Sequence, residues 1–493
     1  MAVSSLAVSP FPVPRPLPDL VIDVPRREVR GDPDVRVGGL SYRSEEATLG
    51  SLFFCVPGTM LDGHDFAAEA VSRGAVALAV ERWLPLEVTQ VLVPSVREVM
   101  GPVSAAFYGR PAAAMTVVGV TGTNGKTTTT YVLESVFREA GLAPGVVGTT
   151  GIRIAGRPVP FPRTTPEAPD LQRVLDEMRD EGVRAVAMEV SSHGLDQHRV
   201  GGIRFACAVF TNLTQDHLDY HGSMEEYFSA KARLFAPELS ERAVVNVDDA
   251  AGRRLRDRGV PTITFGIDDE GAEVRATDVR ATHDGIAFRV DGALIRSPLR
   301  GRFNVENCLA ALATARALGI SDPVAVRGIE ALRGVPGRVE AVDAGQDFLV
   351  MVDYAHTPDS LENVLRTARS LTEGRVIVVF GCGGDRDRAK RPLMGRAAAA
   401  NADLTVITSD NPRSEDPEAI IREIEPGASG GVYVIESDRR TAIRAAVAEA
   451  RTGDVVVIAG KGHETYQELA DRTIAFDDRA VAFEEIRALT ETR

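Results

Sequence analysis

Lysine is nearly missing from this chain. Of 56 basic residues only Lys126, Lys231, Lys390 and Lys461 are lysine, and every other cation is arginine. A surviving lysine is a candidate for chemistry that a compact ammonium or a neutral amine does and a guanidinium cannot, the alternative reading being chance. All four lie in glycine-rich or histidine-rich stretches. Cysteine is scarce as well. Cys55, Cys207, Cys308 and Cys382 are far apart and form no CxxC, which excludes a disulfide framework and a zinc site and fits a reducing compartment. No run approaches the roughly 18 apolar residues of a membrane helix. The opening MAVSSLAVSPFPVPRPLPDL lacks the basic end and apolar core of a secretory signal, so the cytoplasm is expected. Its alternating prolines predict an extended, mobile leader over residues 1–20. Positive charge is also in deficit, with a net charge of −14. That argues against nucleic-acid or anionic-membrane binding, yet leaves room for an anionic ligand held by a few arginines and helix N-termini.

What is present, over 493 residues with 44% hydrophobic and 26% charged, is ordinary globular composition, enough for about three domains. Alternating strands and helices predict an α/β protein built on mostly parallel sheets. Residues 1–112 read as a small α/β unit. Residues 113–337 open with the strand MTVVGV (115–120) and continue through a helix (127–140) and strands at 185–190, 208–210 and 242–247. Short alternating strands over 262–300 predict an antiparallel appendage, and a helix near 304–318 closes the region. RGVPGRV (333–339) reads as a linker. Residues 338–493 form a carboxyl-terminal Rossmann-like unit in which three strands end in the loops GCGGDRDRAKR, DNPR and KGHETYQ.

GVTGTNGKTTTT (119–130) sits between an apolar strand and a helix. Main-chain N–H groups around Gly122, Thr123, Asn124 and Gly125 can cradle a phosphate at the helix N-terminus. Lys126 would reach the β- and γ-phosphates, and the Thr127 hydroxyl, followed by Thr128, would meet Mg²⁺. The glycine spacing is longer by one than a strict Walker loop. A nucleoside triphosphate, ATP, is the expected ligand. Glu189, in MEVSSHGLDQHRV (188–200) at a strand end near the phosphate loop, offers hard oxygens to Mg²⁺. His217 and His221 form an HxxxH, but Leu218 stands next to His217 where a zinc protease needs glutamate, which excludes that reading. Lys231 on its spacing alone also suits a solvated helix face. Thr164 and Thr165 equally suit capping of a helix near 168–179, and Asn304 and Asn307 suit either an adenine edge or an N-cap.

TGTNGKTT resembles the phosphate loop of the Mur ligases and of the folylpolyglutamate synthetases, which make amide bonds through an acyl phosphate. AKARLF resembles the Mur ligase segment that carries a carbamylated lysine. The resemblance implies that Lys231 becomes N6-carboxylysine with CO₂, and that the carbamate, Glu189 and His217 hold a second Mg²⁺. FPRTTPEAPD resembles the substrate loop of the members that add the third stem residue. That implies a UDP-N-acetylmuramoyl-L-alanyl-D-glutamate site at Thr164, Thr165, Ser191, Gln197 and Arg199. It also implies an adenine site at Asn304 and Asn307, with Arg338, Asp353 and His356 closing over the nucleotide. DNPR (Asp410, Asn411, Pro412, Arg413) resembles the signature of members that add meso-diaminopimelate. With Arg386, Gly460 and Glu464 it would hold that amino acid at both ends. In GLSYRSEEATLGSLFFCVPG (39–58), which resembles the uridine segment, only Ser44 keeps the family pattern; Arg43, Glu45 and Ser51 depart from it. The lysine-adding relatives, a folylpolyglutamate synthetase and a non-catalytic nucleotide-binding regulator are the alternatives.

Overall fold

In the computed structural model, residues 13–58, 61–282 and 284–492 are described. Three principal sheets succeed one another along the chain. The first has five strands in the order Glu28–Arg30, Thr89–Leu92, Ala77–Val80, Ser51–Phe54 and Gly39–Ser41, parallel except for the first. The second has nine. Its parallel part runs Pro144–Gly148, Ala185–Glu189, Thr116–Thr121, Cys207–Phe210, Ala243–Asn246, Thr262–Gly266 and Val274–Arg275. An antiparallel pair, Gly151–Ile154 and Arg157–Val159, covers one edge. The third has six strands in the order Glu340–Val342, Leu349–Asp353, Val455–Ala459, Val376–Phe380, Leu404–Ile407 and Tyr433–Ile435, all parallel but the first.

The inner strands of the second and third sheets are buried along their whole length, AVAME and VIVVF among them. Such continuous apolar runs, rather than alternation, are what helices on both faces demand. They also place the loops. Ligands of open parallel sheets bind beyond the carboxyl ends of the strands, where the order reverses. In the central sheet the phosphate loop leaves Thr116–Thr121, flanked by the ends of Ala185–Glu189 and Cys207–Phe210. In the third sheet, Asp353–His356, Gly460–Glu464, Gly381–Lys390 and Asp410–Arg413 leave the ends of four adjacent strands.

Two expectations need correction. The leader does not extend to residue 20: Arg15–Pro16 pairs with Arg36–Val37, and Leu17–Leu20 is a helical turn with both leucines buried. An isolated extended segment has no reason to stop at Pro16, but Leu17 and Leu20 lie one turn apart and find an apolar core beside Val96–Phe107. Residues 1–12 of that leader lie outside the described residues. The antiparallel appendage is also shorter than 262–300. It comprises Thr277–Thr282, Gly285–Val290 and Ala293–Ser297, whereas Thr262–Gly266 and Val274–Arg275 extend the central sheet in parallel. Short strands alone do not reveal which neighbour they pair with.

Candidate functional site

Gly122 has φ +150°, and a Cβ there would stand 1.9 Å from the Thr211 hydroxyl, so only glycine lets the phosphate loop pass this close to the neighbouring strand end. The loop is fastened from that neighbour: Asn124 N–H donates to Asn212 Oδ1 (2.9 Å), and Thr123 N–H donates to the Asn212 carbonyl (2.9 Å). Lys126 opens the helix Lys126–Glu139 and folds back, its ammonium donating to the carbonyls of Gly122 (3.0 Å) and Thr123 (2.8 Å). Lys231, on the helix Met224–Ala232, donates to the same Gly122 carbonyl at 2.8 Å and lies over the Tyr227 ring at 4.5 Å. Its side chain is buried, with no carboxylate paired to it among the described residues. Burial, reinforced by the Lys126 charge, pushes the Lys231 ammonium well below its usual range. A neutral amine in this place is what carbamylation requires.

Glu189 is buried at its strand end and accepts from Thr149 twice, from N–H (2.9 Å) and from the hydroxyl (3.0 Å). It makes no ion pair among the described residues. His217 takes a left-handed backbone, φ 54°. Burial lowers its imidazole to about 3 against the opposing pull of Asp216. Asp216, pushed up by burial, is brought down to about 2 by His217, His356 and Lys390. No three His, Cys, Asp or Glu side chains converge as a ready metal cage among the described residues. A carboxylate held only by neutral donors and a hydroxyl at Thr127 nonetheless fit Mg²⁺, which takes one or two protein oxygens and fills its sphere with phosphate and water.

Two cavities meet this centre. The first, about 540 Å³, is lined by Asn124, Gly125, Thr128 and Asn307, by Arg338 and Asp353, and by the face of the helix Pro358–Ser370. Asn304 and Asn307 do not cap their helix: Asn304 donates to the Arg300 carbonyl (2.6 Å), and Asn307 donates to Asn304 (2.8 Å). Arg338 donates to the Thr127 hydroxyl at 2.9 Å, and Asn124 donates to Asp359 at 2.8 Å, so the third sheet's unit already touches the phosphate loop. Glu306 faces this cavity. Burial, aided by Asp248, raises its carboxyl from 4.5 to about 7.

The second cavity, about 530 Å³, is lined by Thr149, Thr164, Asp216, His217 and His356 on one side and by Arg386, Lys390, Asp410, Asn411, Arg413, Gly460 and Glu464 on the other. Here charges are paired with each other. Lys461 donates to Glu464 (2.9 Å) and Asn411 (2.9 Å), and Arg413 pairs with Glu468 (2.8 Å) while donating to the Gly384 carbonyl (2.9 Å). Arg413 also holds a left-handed φ of 52°, a strained conformation of the kind that gathers at binding sites. Gly460, φ +115°, lies where a Cβ would come within 2.5 Å of Asp410. Arg386 is exposed and donates to the Asp385 carbonyl. Pro412, between Asn411 and Arg413, does not line the cavity but closes the turn against Gly384, whose Cβ would meet its carbonyl at 1.8 Å.

Thr165 is no helix cap. Its hydroxyl donates to the Glu189 carbonyl (3.0 Å) and to Ser191 Oγ (3.2 Å), and Glu167 is the residue before the helix Ala168–Asp180. Ser191 caps the short helix Ser192–Asp196, and Arg199 donates to the Thr165 carbonyl (3.1 Å) and to Gln197 (2.7 Å). These residues therefore form one chain of contacts leading to Thr164. Ser44 stands apart, lining neither cavity and donating to Glu69 at 2.8 Å. Thr149, Asn212, Asp216 and Asp359 escape a sequence reading because none lies in a motif of its own; each is brought in by a strand end or by contact between units.

Residues 36–108 match the family described as Mur ligase family, catalytic domain; 120–315 match the Mur ligase middle domain, and 337–462 the Mur ligase, glutamate ligase domain. The chain is 52% identical over 467 residues to a UDP-N-acetylmuramoyl-L-alanyl-D-glutamate–2,6-diaminopimelate ligase of Geobacillus thermodenitrificans, covering 92% of this chain and 95% of that one. It is 48% identical over 463 residues to the protein of the same name from Solibacter usitatus, with coverages of 92% and 94%. A solved structure of a ligase of that name superposes with a TM-score of 0.69 at 34% identity, covering 97% of this chain and all of the other.

Proposed function

The chain belongs to the Mur ligase family, and on that premise we infer that it is the ATP-dependent ligase that joins meso-diaminopimelate to the D-glutamyl γ-carboxylate of UDP-N-acetylmuramoyl-L-alanyl-D-glutamate in peptidoglycan precursor synthesis. Relatives so named over more than nine-tenths of the chain support this reading. The observation that carries it is the pair of cavities on either side of the phosphate-loop centre. Asn124 and Gly125 of the phosphate loop line one, His217 lines the other, and the second cavity is walled by arginines and carboxylates that suit a zwitterion.

A carboxylate oxygen of the D-glutamyl side chain attacks the γ-phosphorus of ATP, the bond to the β-bridging oxygen breaks, and an acyl phosphate and ADP result. The amine of diaminopimelate then attacks the acyl carbon; phosphate leaves and the amine loses a proton. Gly122 to Gly125 hold the phosphates through main-chain N–H groups, and Lys126 leaves its carbonyl partners to follow the γ-phosphate. Catalysis of this kind is chiefly positioning and charge neutralisation. Mg²⁺, held by Thr127, Glu189, His217 and carbamylated Lys231, would supply the charge that neutralises the phosphates. Asn304, Asn307, Arg338, Asp353 and His356 enclose the nucleotide. Thr164, Thr165, Ser191, Gln197 and Arg199 align the muramoyl dipeptide, and Ser44 marks the uridine end. Arg413, with Arg386, Asp410, Asn411, Gly460 and Glu464, selects the amino acid by its distal carboxylate.

The test is phosphate release with ATP, Mg²⁺ and UDP-N-acetylmuramoyl-L-alanyl-D-glutamate, comparing meso-diaminopimelate with L-lysine. Release with diaminopimelate alone is expected. Release with lysine alone would keep the ligase and overturn the role of Arg413, and silence with both would favour a nucleotide-binding regulator.

A further inference from the structure

All four lysines of the chain stand at the two cavities or between them, and three have obvious partners. Lys126 and Lys231 share the Gly122 carbonyl, and Lys461 is tied to Asn411 and Glu464. Lys390 differs. It is 94% buried, lines the second cavity beside Asp216, His217 and His356, and its ammonium makes no hydrogen bond and no ion pair with any described residue. Asp216, which feels the Lys390 charge without bonding to it, is engaged by the main-chain N–H of His217 (2.9 Å) and by its ring (3.4 Å). Across the same wall Asp387 uses Oδ1 to accept from Ala389 N–H (2.9 Å) and leaves Oδ2 buried without a partner. An ammonium that faces a cavity and has no hydrogen-bond acceptor of its own is placed to take one from a ligand.

We propose that Lys390 is a substrate-binding residue for the amino acid, its ammonium pairing with the carboxylate next to the attacking amine. The placement supports that end of the substrate. Lys390 is within electrostatic reach of Asp216 and His356, and Asp216 follows the Asn212–Thr214 segment that fastens the phosphate loop, whereas Arg413 is held by Gly384 and Glu468. Lys390 is also the first residue of the helix Lys390–Asn401, whose free N–H groups add positive potential to the same spot. Lysine rather than arginine fits, because a point charge can accept a carboxylate end-on in a space where a planar fork would have to be desolvated as well. The two cations would thus divide the task, Lys390 reading the end common to all α-amino acids and Arg413 the distal end. This deepens the ligase reading above and rests on it.

Lys390→Met in the full-length chain is the direct test, measuring the thermal stability of the ligand-free protein and KM for each substrate. Because the Lys390 ammonium has no hydrogen bond to lose, Tm should change little. KM and the calorimetric Kd for meso-diaminopimelate should rise about tenfold or more, as for loss of a charge-assisted bond, with KM for ATP and for the muramoyl dipeptide unchanged. A lower Tm, an unchanged KM for the amino acid, or a rise shared by all three substrates would overturn the proposal. Lys390→Gln, which keeps a donor without charge, should show the same KM split and decides the matter should the methionine variant fail to fold. If the unaltered protein releases no phosphate with any amino acid, the ligase reading fails; if it turns over and Lys390→Met keeps its KM, only the role of Lys390 falls.

Discussion

At the phosphate loop, charge is held by the main chain: two ammonium groups rest on one carbonyl, that of Gly122, and the loop itself is fastened by Asn212 and Thr211 of the adjoining strand end. At the carboxyl-terminal loops, charge is held by side chains, Lys461 by Glu464 and Arg413 by Glu468, with Lys390 left over. The first arrangement is centred on one contiguous loop, fastened by Thr211, Asn212 and Lys231, and is formed without a ligand. The second draws on four strand ends and pairs its charges side chain to side chain, leaving Lys390 without a hydrogen bond among the described residues. Phosphates of every nucleotide look alike, so a backbone cradle serves; amino acids differ at their far ends, so selectivity falls to side chains that can be exchanged.

The largest effects should therefore follow from the first region. Lys126→Ala should lower kcat by at least about 100-fold, the scale of losing one donor to transition-state charge, with little change in KM for the amino acid. A fall in amino-acid affinity as large as the fall in kcat would mean that the two regions are not separable. Lys231→Ala should abolish ligation, with partial recovery by added short carboxylic acids that replace the carbamate oxygens. Full activity of this variant would end the carbamate role. In the second region, Arg413→Ala should raise KM for meso-diaminopimelate about 10- to 100-fold while kcat holds, because the lost contact is a charge-assisted pair. Its KM for L-lysine should stay where it was.

The same division explains what could be read from sequence. GTNGKTT declares itself because glycine at φ +150°, a lysine and a hydroxyl must follow each other in order to make the cradle. The buried parallel strands were equally legible as apolar runs. The pairing of Thr262–Gly266 with the central sheet was not, since a five-residue strand carries no mark of its neighbour. Leu17 and Leu20 were hidden by the prolines before them. Thr149, which holds Glu189 by two bonds, lies 40 residues away in the chain and meets it only through sheet order. Arginine-for-lysine exchange across the rest of the chain was the one compositional signal that pointed to the second cavity, at Lys390 in its wall and at Lys461 behind Asn411 and Glu464.

The smallest expected effect tests whether the nucleotide cavity is as fully prearranged as the main-chain cradle implies. Glu306 is the exception there, a carboxyl raised from 4.5 to about 7 by burial and by Asp248, with one amide contact, from Asn246 at 3.2 Å. A raised carboxyl means that the folded chain holds a proton the unfolded chain has already lost. Below about pH 4.5 both states are protonated and the full contribution is present. Between 4.5 and 7 stability declines as pH rises, and above 7 the loss is complete. Glu306→Gln cannot ionise, so its Tm should gain on that of the unaltered protein between pH 5 and pH 7 and run parallel to it above. Parallel curves through the whole range would show that Glu306 titrates like a solvated carboxylate, and that the nucleotide side, too, leaves its charges to the solvent rather than to the fold.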